Sequence, residues 1–181
     1  MTGDASTDGD VPELPPREDW TVVVEPRAVR VDDVDALLER VASAVDDAVA
    51  DEAAVDEAAG GRDGESDGER AVAQAVDARY AVSERHLAEA FDKALRSMRR
   101  GEAVADTLAM EVLLYAAGTR QISEATAIGP SGDTETVALV GATTGDGDAL
   151  RDALHGIGEA VADDAFPTPD EDAVRAFFDV P

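Results

Sequence analysis

Cysteine is absent from the 181-residue chain, which excludes a disulfide framework, a thiolate zinc site and a cysteine nucleophile. Lysine is nearly absent: Lys93 stands alone beside fourteen arginines and 41 acids. The seven aromatics, Trp20, Tyr80, Phe91, Tyr115, Phe166, Phe177 and Phe178, are thinly spread, so the core must rest on aliphatic packing. No apolar run approaches the roughly 18 residues that span a bilayer. Met1–Pro16 is polar and acidic and lacks the basic start and apolar stretch of a signal peptide. These absences lead to the expectation of a cytoplasmic protein without membrane contact.

Catalytic devices are missing too. His86 and His155 are the only histidines, 69 positions apart, so no local two-histidine metal motif exists. Neither a G-x-S-x-G elbow nor a Walker A loop is present, nor a spaced EF-hand loop. Gly141–Gly147 (GATTGDG) links a strand to a helix, where phosphates can bind. It lacks a lysine, however, and Asp146 and Asp148 would repel an anion, so a plain turn accounts for its glycines. The expectation is a protein with no catalytic residues, no metal and no cofactor.

What is abundant is negative charge, −26 in all. Long amphipathic stretches with clean stops argue against wholesale disorder. Lysine depletion with acid enrichment is the compositional habit of proteins in molar salt, where the Debye length is about 3 Å and self-repulsion is screened. We read the chain as halophilic, which makes its acidity uninformative about partners.

Hydrophobic spacing outlines one domain over 19–181, preceded by a disordered acidic lead at 1–18. Trp20–Glu25 is β-branched and short, a strand that Pro26 helps to end. Val34, Leu37, Leu38, Val41 and Val45 lie on one helical face, with Asp32 and Asp33 at its positive end. Residues 50–70 are rich in Gly, Asp and Glu and read as an acidic, flexible insertion. A short strand is expected at Ala71–Val76. A helix follows at Glu84–Arg100, capped by Ser83 and stopped by Gly101. It puts Leu87, Ala90, Phe91, Ala94, Leu95 and Met98 on one side and Arg85, Lys93, Arg96, Arg99 and Arg100 on the other. A second helix, from Asp106 to Ala117, is apolar around nearly its whole circumference and must be buried. Gly118 ends it, and Thr119 can cap a short helix at Arg120–Ile128. A strand at Thr134–Ala142, a helix at Asp148–Val161 and a docking helix at Asp170–Phe178 complete the reading. The fold class is α/β (α+β): a single domain with a small mixed or antiparallel sheet covered by helices.

The charge is unevenly placed. Residues 70–120 hold eight basic and seven acidic side chains, while the flanking segments are strongly acidic. In an otherwise acidic protein this near-neutral stretch is a candidate anion-contacting face. The alternative is pairing along the same helix, Glu89 with Lys93 and Asp92 with Arg96. Glu111 interrupts its apolar helix, either at an exposed edge or satisfied by a partner, Arg120 or the polar turn among the candidates, since a buried charge must be paired. Tyr115 reads as core, and Tyr80 and His86 read more readily as structural than as ligand contacts.

Residues 111–129, EVLLYAAGTRQISEATAIG, carry the most specific signal. Glu111, Leu113, Leu114 and Tyr115, then Gly118, Thr119, Arg120, Gln121, Ile122, Glu124, Ala125 and Gly129 resemble the signature of the kinase-binding accessory subunit of the KEOPS complex, the TPRKB-like family. Ser83–Leu87, with Ala90 and Ala94, is similar to that family's preceding helix, and the order of elements fits across about residues 20–160. The insertion at 50–70 and both tails are extra, and Thr126 stands where a long apolar residue is common.

The resemblance implies a non-catalytic subunit. Its partners would be a small Rio-like kinase/ATPase, through it the subunit that transfers threonylcarbamoyl to tRNA, and the single-stranded 3′ CCA end of tRNA. The stripe Ile122, Ala125, Thr126, Gly129 either seats the short helix on its own domain or, with Ile128 lying away from it, supplies the kinase interface. Ile122, Ala125, Thr126 and Ile128 are the kinase-interface candidates. Arg85, His86, Lys93, Arg96, Arg100, Arg120 and Gln121 are the RNA-binding candidates. Two other classes stay open: a protein-only interaction domain without RNA contact, and a small-molecule enzyme using paired carboxylates.

Overall fold

A computed structural model describes residues 14–58 and 70–161, with side chains described outside 50–58. Four strands, β1 (Thr21–Ala28), β2 (Ala71–Asp77), β3 (Thr136–Thr143) and β4 (Glu159–Ala160), form one sheet in the order β2-β3-β1-β4. Every pairing is antiparallel. Among the described residues the five α-helices are α1 (Val34–Ala58), α2 (Glu84–Arg99), α3 (Leu108–Ala117), α4 (Ile122–Ala125) and α5 (Gly147–His155). The expected antiparallel sheet covered by helices is what forms.

Alternation along the strands sorts the core into two halves, because successive side chains point to opposite sheet faces. Ala138, Val140 and Ala142 of β3 join Val76 and Trp20 under α2, α3 and Ile128. Val137 and Leu139 join Val23 and Ala75 under α1 and α5. Gly141 lies on the second face. A Cβ there would stand 2.9 Å from Leu154 Cδ1 and 3.2 Å from Leu150 Cδ2; its absence lets α5 press close to the sheet.

Three expectations need correction. Pro26 does not end the first strand, which runs on to Ala28 with Pro26 opposite Ala138. Proline is tolerated because the odd-numbered residues of β1 make the bonds to β3, as Val29 N–H to Glu135 O shows, so the nitrogen of Pro26 turns away from β3 and its missing N–H costs that ladder nothing. The helix read as Asp148–Val161 stops at His155. There the buried Arg27 guanidinium gathers the carbonyls of His155 at 2.6 Å, Gly158 at 3.0 Å and Ile157 at 3.3 Å. Gly158 turns the chain at φ +78°, where a Cβ would meet Ala28 O at 2.2 Å, and β4 follows. The short helix read as Arg120–Ile128 is a single α-turn, α4, continued by a 3₁₀ turn at Thr126–Ile128.

The remaining boundaries shift little. α1 extends to Ala58, into the stretch read as an insertion; the rest of that stretch up to residue 69 lies outside the described residues. So do most of the N-terminal lead and the expected helix at Asp170–Phe178. Where the lead is described, Arg17–Asp19 forms a 3₁₀ turn and Arg17 pairs with Asp92 of α2. Trp20, just beyond, packs on Phe91 with ring centroids 5.5 Å apart.

Candidate partner-binding surface

α2 and α3 form a hairpin on one face of the sheet. Ser83 caps α2 by accepting from His86 N–H at 3.1 Å, as its residue type predicts. At the other end Gly101, at φ 66°, donates to Met98 O, and Glu102 donates to Ser97 O. These two bonds close the helix in a Schellman arrangement. Gly118, also at φ 66°, closes α3 in the same way, with Thr119 N–H on Leu114 O. The hairpin therefore has two rigid turns, and the candidate site residues sit on or beside them.

Glu111 is 2 % exposed. Its Oε2 accepts the N–H groups of Val104 and Ala105, each at 3.0 Å. It thus staples the loop between α2 and α3 to the first turn of α3. Arg120, a suggested partner, lies elsewhere: its Nη2 donates to Glu102 O at 3.4 Å. This brings the guanidinium to the turn that ends α2, two residues beyond Arg100.

The turn entering α4 is ordered by its own polar side chains. Thr119 Oγ1 accepts from Gln121 N–H at 3.1 Å and donates to Glu124 Oε2 at 2.6 Å. Gln121 Nε2 donates to Glu124 Oε1 at 2.8 Å. The T-R-Q triplet is thereby fixed against I-x-E, and Arg120 and Gln121 are held at the surface.

The expected small-residue stripe divides across the surface. Ala125 and Ile128 are both fully buried, packed in the core under α3. The expectation that Ile128 lies on an exposed surface is corrected: the 3₁₀ turn after α4 rotates it inward. Ile122 remains 45 % exposed, Thr126 is exposed, and Val104 in the stapled loop is 38 % exposed. Val104 had no sequence signal, since it stands in a short loop without periodicity.

The basic residues divide as well. Arg85 pairs with Glu89 at 2.8 Å. Glu89 thus makes its ion pair with Arg85, while Lys93 attracts it only through space, and Asp92 pairs with Arg17 in place of Arg96. Lys93, Arg96, Arg99 and Arg100 lie exposed on α2 and make no ion pair among the described residues. His86 is half-buried between α2 and α3, its Nδ1 accepting from Val82 N–H. Burial pushes its pKa down; a hydrogen bond with the Ala116 backbone opposes this and Lys93 adds to it. It is a neutral wedge between helices.

Other chemistry is sparse. The Asp146 carboxylate accepts from Asp148 N–H at 2.8 Å and so occupies the start of α5, where a phosphate would have to bind. Among the described residues, no group of three or more His, Asp or Glu is placed to hold a metal ion. Among them, too, no helix is long and apolar enough to cross a membrane.

The family model described as kinase binding protein CGI-121 matches residues 38–181. No curated protein matches the chain.

Proposed function

Since the chain belongs to the CGI-121 family of kinase-binding proteins, we propose that it is the non-catalytic accessory subunit of a KEOPS-type tRNA-modifying complex. In this reading it docks on a small Rio-like kinase/ATPase, and through that kinase serves the subunit that transfers threonylcarbamoyl. It also recruits tRNA by the 3′ CCA end. The observation that carries the reading is the family match spanning α2, α3 and α4, which includes the GTRQISEA turn.

Two features support a division of labour on that hairpin. Ile122 and Thr126 offer an exposed edge of α4, rigidly backed by buried Ala125 and Ile128, and form the kinase contact. Lys93, Arg96 and Arg100 on α2, with Arg120 and Gln121 at the neighbouring turn, form the RNA contact; exposed cations that make no ion pair among the described residues are available to phosphates and base edges. Arg85, which is ion-paired, and His86, a packing residue, contribute through the shape of α2.

The acidic, lysine-poor surface fits a cytoplasm of high salt. Phosphate contacts weaken steeply with salt, so RNA binding there must rest on stacking and hydrogen bonds to single-stranded edges.

The test is gel filtration of the purified chain with its kinase, with and without tRNA. Co-elution with the kinase, and retention of intact tRNA, are expected. A chain that binds the kinase but treats intact and CCA-trimmed tRNA alike is a protein-only interaction domain. A chain that binds neither removes the proposal.

A further inference from the structure

The chain just ahead of β1 lies against α2 and takes one of its carboxylates. Trp20 is the anchor. It is buried, its ring centroid stands 5.5 Å from that of Phe91 in α2, and its indole Nε1 donates to Pro15 O at 3.4 Å. Leu14 packs against the same core. Between these two, Arg17 is held in three ways. Its Nη1 donates to Trp20 O at 2.7 Å, its guanidinium carbon stands 5.9 Å from the centre of the Phe91 ring, and its Nε pairs with Asp92. A planar guanidinium, with donors on several sides, can do all three at once. Exposed ion pairs are ordinarily weak because both side chains must be ordered; here the carbonyl and the ring already order the cation.

Asp92 also has a candidate on its own helix. Arg96 follows it by four residues, the spacing at which side chains on one helix face meet, and acid before base is the better order. Arg85 and Glu89, in the poorer order at the same spacing, do pair, at 2.8 Å. Asp92 nevertheless pairs with Arg17, and Arg96 is exposed and makes no ion pair among the described residues.

We propose that Arg17 is a positioning residue for RNA binding: by taking Asp92 it keeps the Arg96 guanidinium disengaged from its own helix. The use of Arg96 rests on the RNA reading of α2 given above; the exchange of partners at Asp92 does not. Two effects combine. Without Arg17, Asp92 draws Arg96 into an intrahelical pair and occupies the donors that would reach phosphate oxygens or base edges. The same carboxylate then stands on an anion-binding face with only that cation to offset it. A cation supplied from outside the helix removes both penalties. Arg17 lies ahead of residues 38–181, the stretch that the family model matches, so the match itself gives it no role.

The test compares the full chain with Arg17→Met, with Arg17→Met combined with Asp92→Asn, and with Arg96→Gln. Arg17 and Asp92 are 44 % and 39 % exposed, so these variants are expected to keep the wild-type circular dichroism. The Arg96 Nε–H signal, identified by its loss in Arg96→Gln, reads the partner directly. Its exchange with water is expected to slow about twofold in Arg17→Met, as capture by Asp92 requires, and to recover in the double variant. Affinity for intact tRNA is expected to fall about two- to threefold in Arg17→Met and to recover when Asp92→Asn is added. In an Arg96→Gln chain the same Arg17→Met change is expected to cost less, because the side chain to be captured is gone. An equal loss in both chains makes Arg17 a direct charge contact and overturns the proposal. An Arg96 signal that ignores Arg17 overturns the exchange of partners, whatever the tRNA does. A wild-type chain that retains no tRNA overturns the RNA reading, and this use of Arg96 with it, while the Arg96 signal still decides the pairing.

Discussion

The carboxylate of Glu111 holds the N–H of Ala105 at 3.0 Å, inside a helix whose other buried residues are apolar. The same oxygen takes Val104 N–H, so one acidic side chain closes the α2–α3 loop on which the exposed edge depends. Replacing it with alanine strands two backbone donors. Glu111→Ala is expected to cost about 2–4 kcal/mol, and Glu111→Gln, which keeps an acceptor, about 1 kcal/mol. Urea midpoints of the two variants check this; equal losses would show that the loop does not depend on an acceptor there.

Ile122 and Ile128 are six residues apart and have opposite fates. Ile128→Glu buries a charge at a fully enclosed site and is expected to unfold the domain. Ile122→Glu, at a 45 % exposed site, is expected to change stability by no more than about 0.5 kcal/mol. The kinase proposal adds that Ile122→Glu lowers kinase affinity at least about tenfold, as loss of an interface anchor does. Circular dichroism with titration calorimetry separates the two effects, and wild-type affinity in Ile122→Glu would remove α4 from the interface.

Asp77, at the end of β2, is 1 % exposed. It accepts from Arg79 Nη2 and Thr134 Oγ1, each at 2.6 Å. Burial alone would push its carboxyl up, but the bonds from Arg79 and Thr134 outweigh it and hold the pKa below 3.8. A depressed folded value contributes stability that is complete above the unfolded value and lost as pH falls through the folded one. Wild type is therefore expected to lose more stability than Asp77→Asn as the pH falls below about 4. Parallel curves over that window would contradict the clamp.

His86 titrates in the same sense at higher pH. Its depressed pKa means that the unfolded chain takes up the proton first, so stability falls as pH drops below about 6.5. The histidine proton signals in the folded chain should place the midpoint below 6.5, and a midpoint at or above that value would refute the neutral wedge.

For RNA, the expectation is a shallow salt dependence in the molar range and strong dependence on an intact CCA end. Lys93→Glu combined with Arg96→Glu should weaken tRNA binding several-fold while leaving kinase binding unchanged. A slope approaching six or more released ions, as when phosphate contacts dominate, would contradict recognition by stacking and base edges.

The ends of α2 and α3 were legible because they are decided locally. Ser83, Gly101 and Gly118 each do at their position what their residue type favours within four residues of chain. The alternation in β3 was legible for the same reason, since period two needs no partner to be read. The antiparallel, helix-covered sheet follows from those elements, and the family from the string at 118–125.

Other features depended on residues far away in the chain. α5 stops at His155, whose carbonyl Arg27, 128 residues earlier in the chain, takes; Pro26 stays in a strand because its pairing with the distant β3 turns its missing N–H to the other edge. Asp92 takes Arg17 from 75 residues away in preference to a neighbour on its own helix. Short-range propensity and period are properties of the sequence itself. Which side of a short turn is buried, and which of several possible partners a charge takes, is settled only when remote elements pack, and that is why Ile128 belongs to the core and Ile122 to the surface.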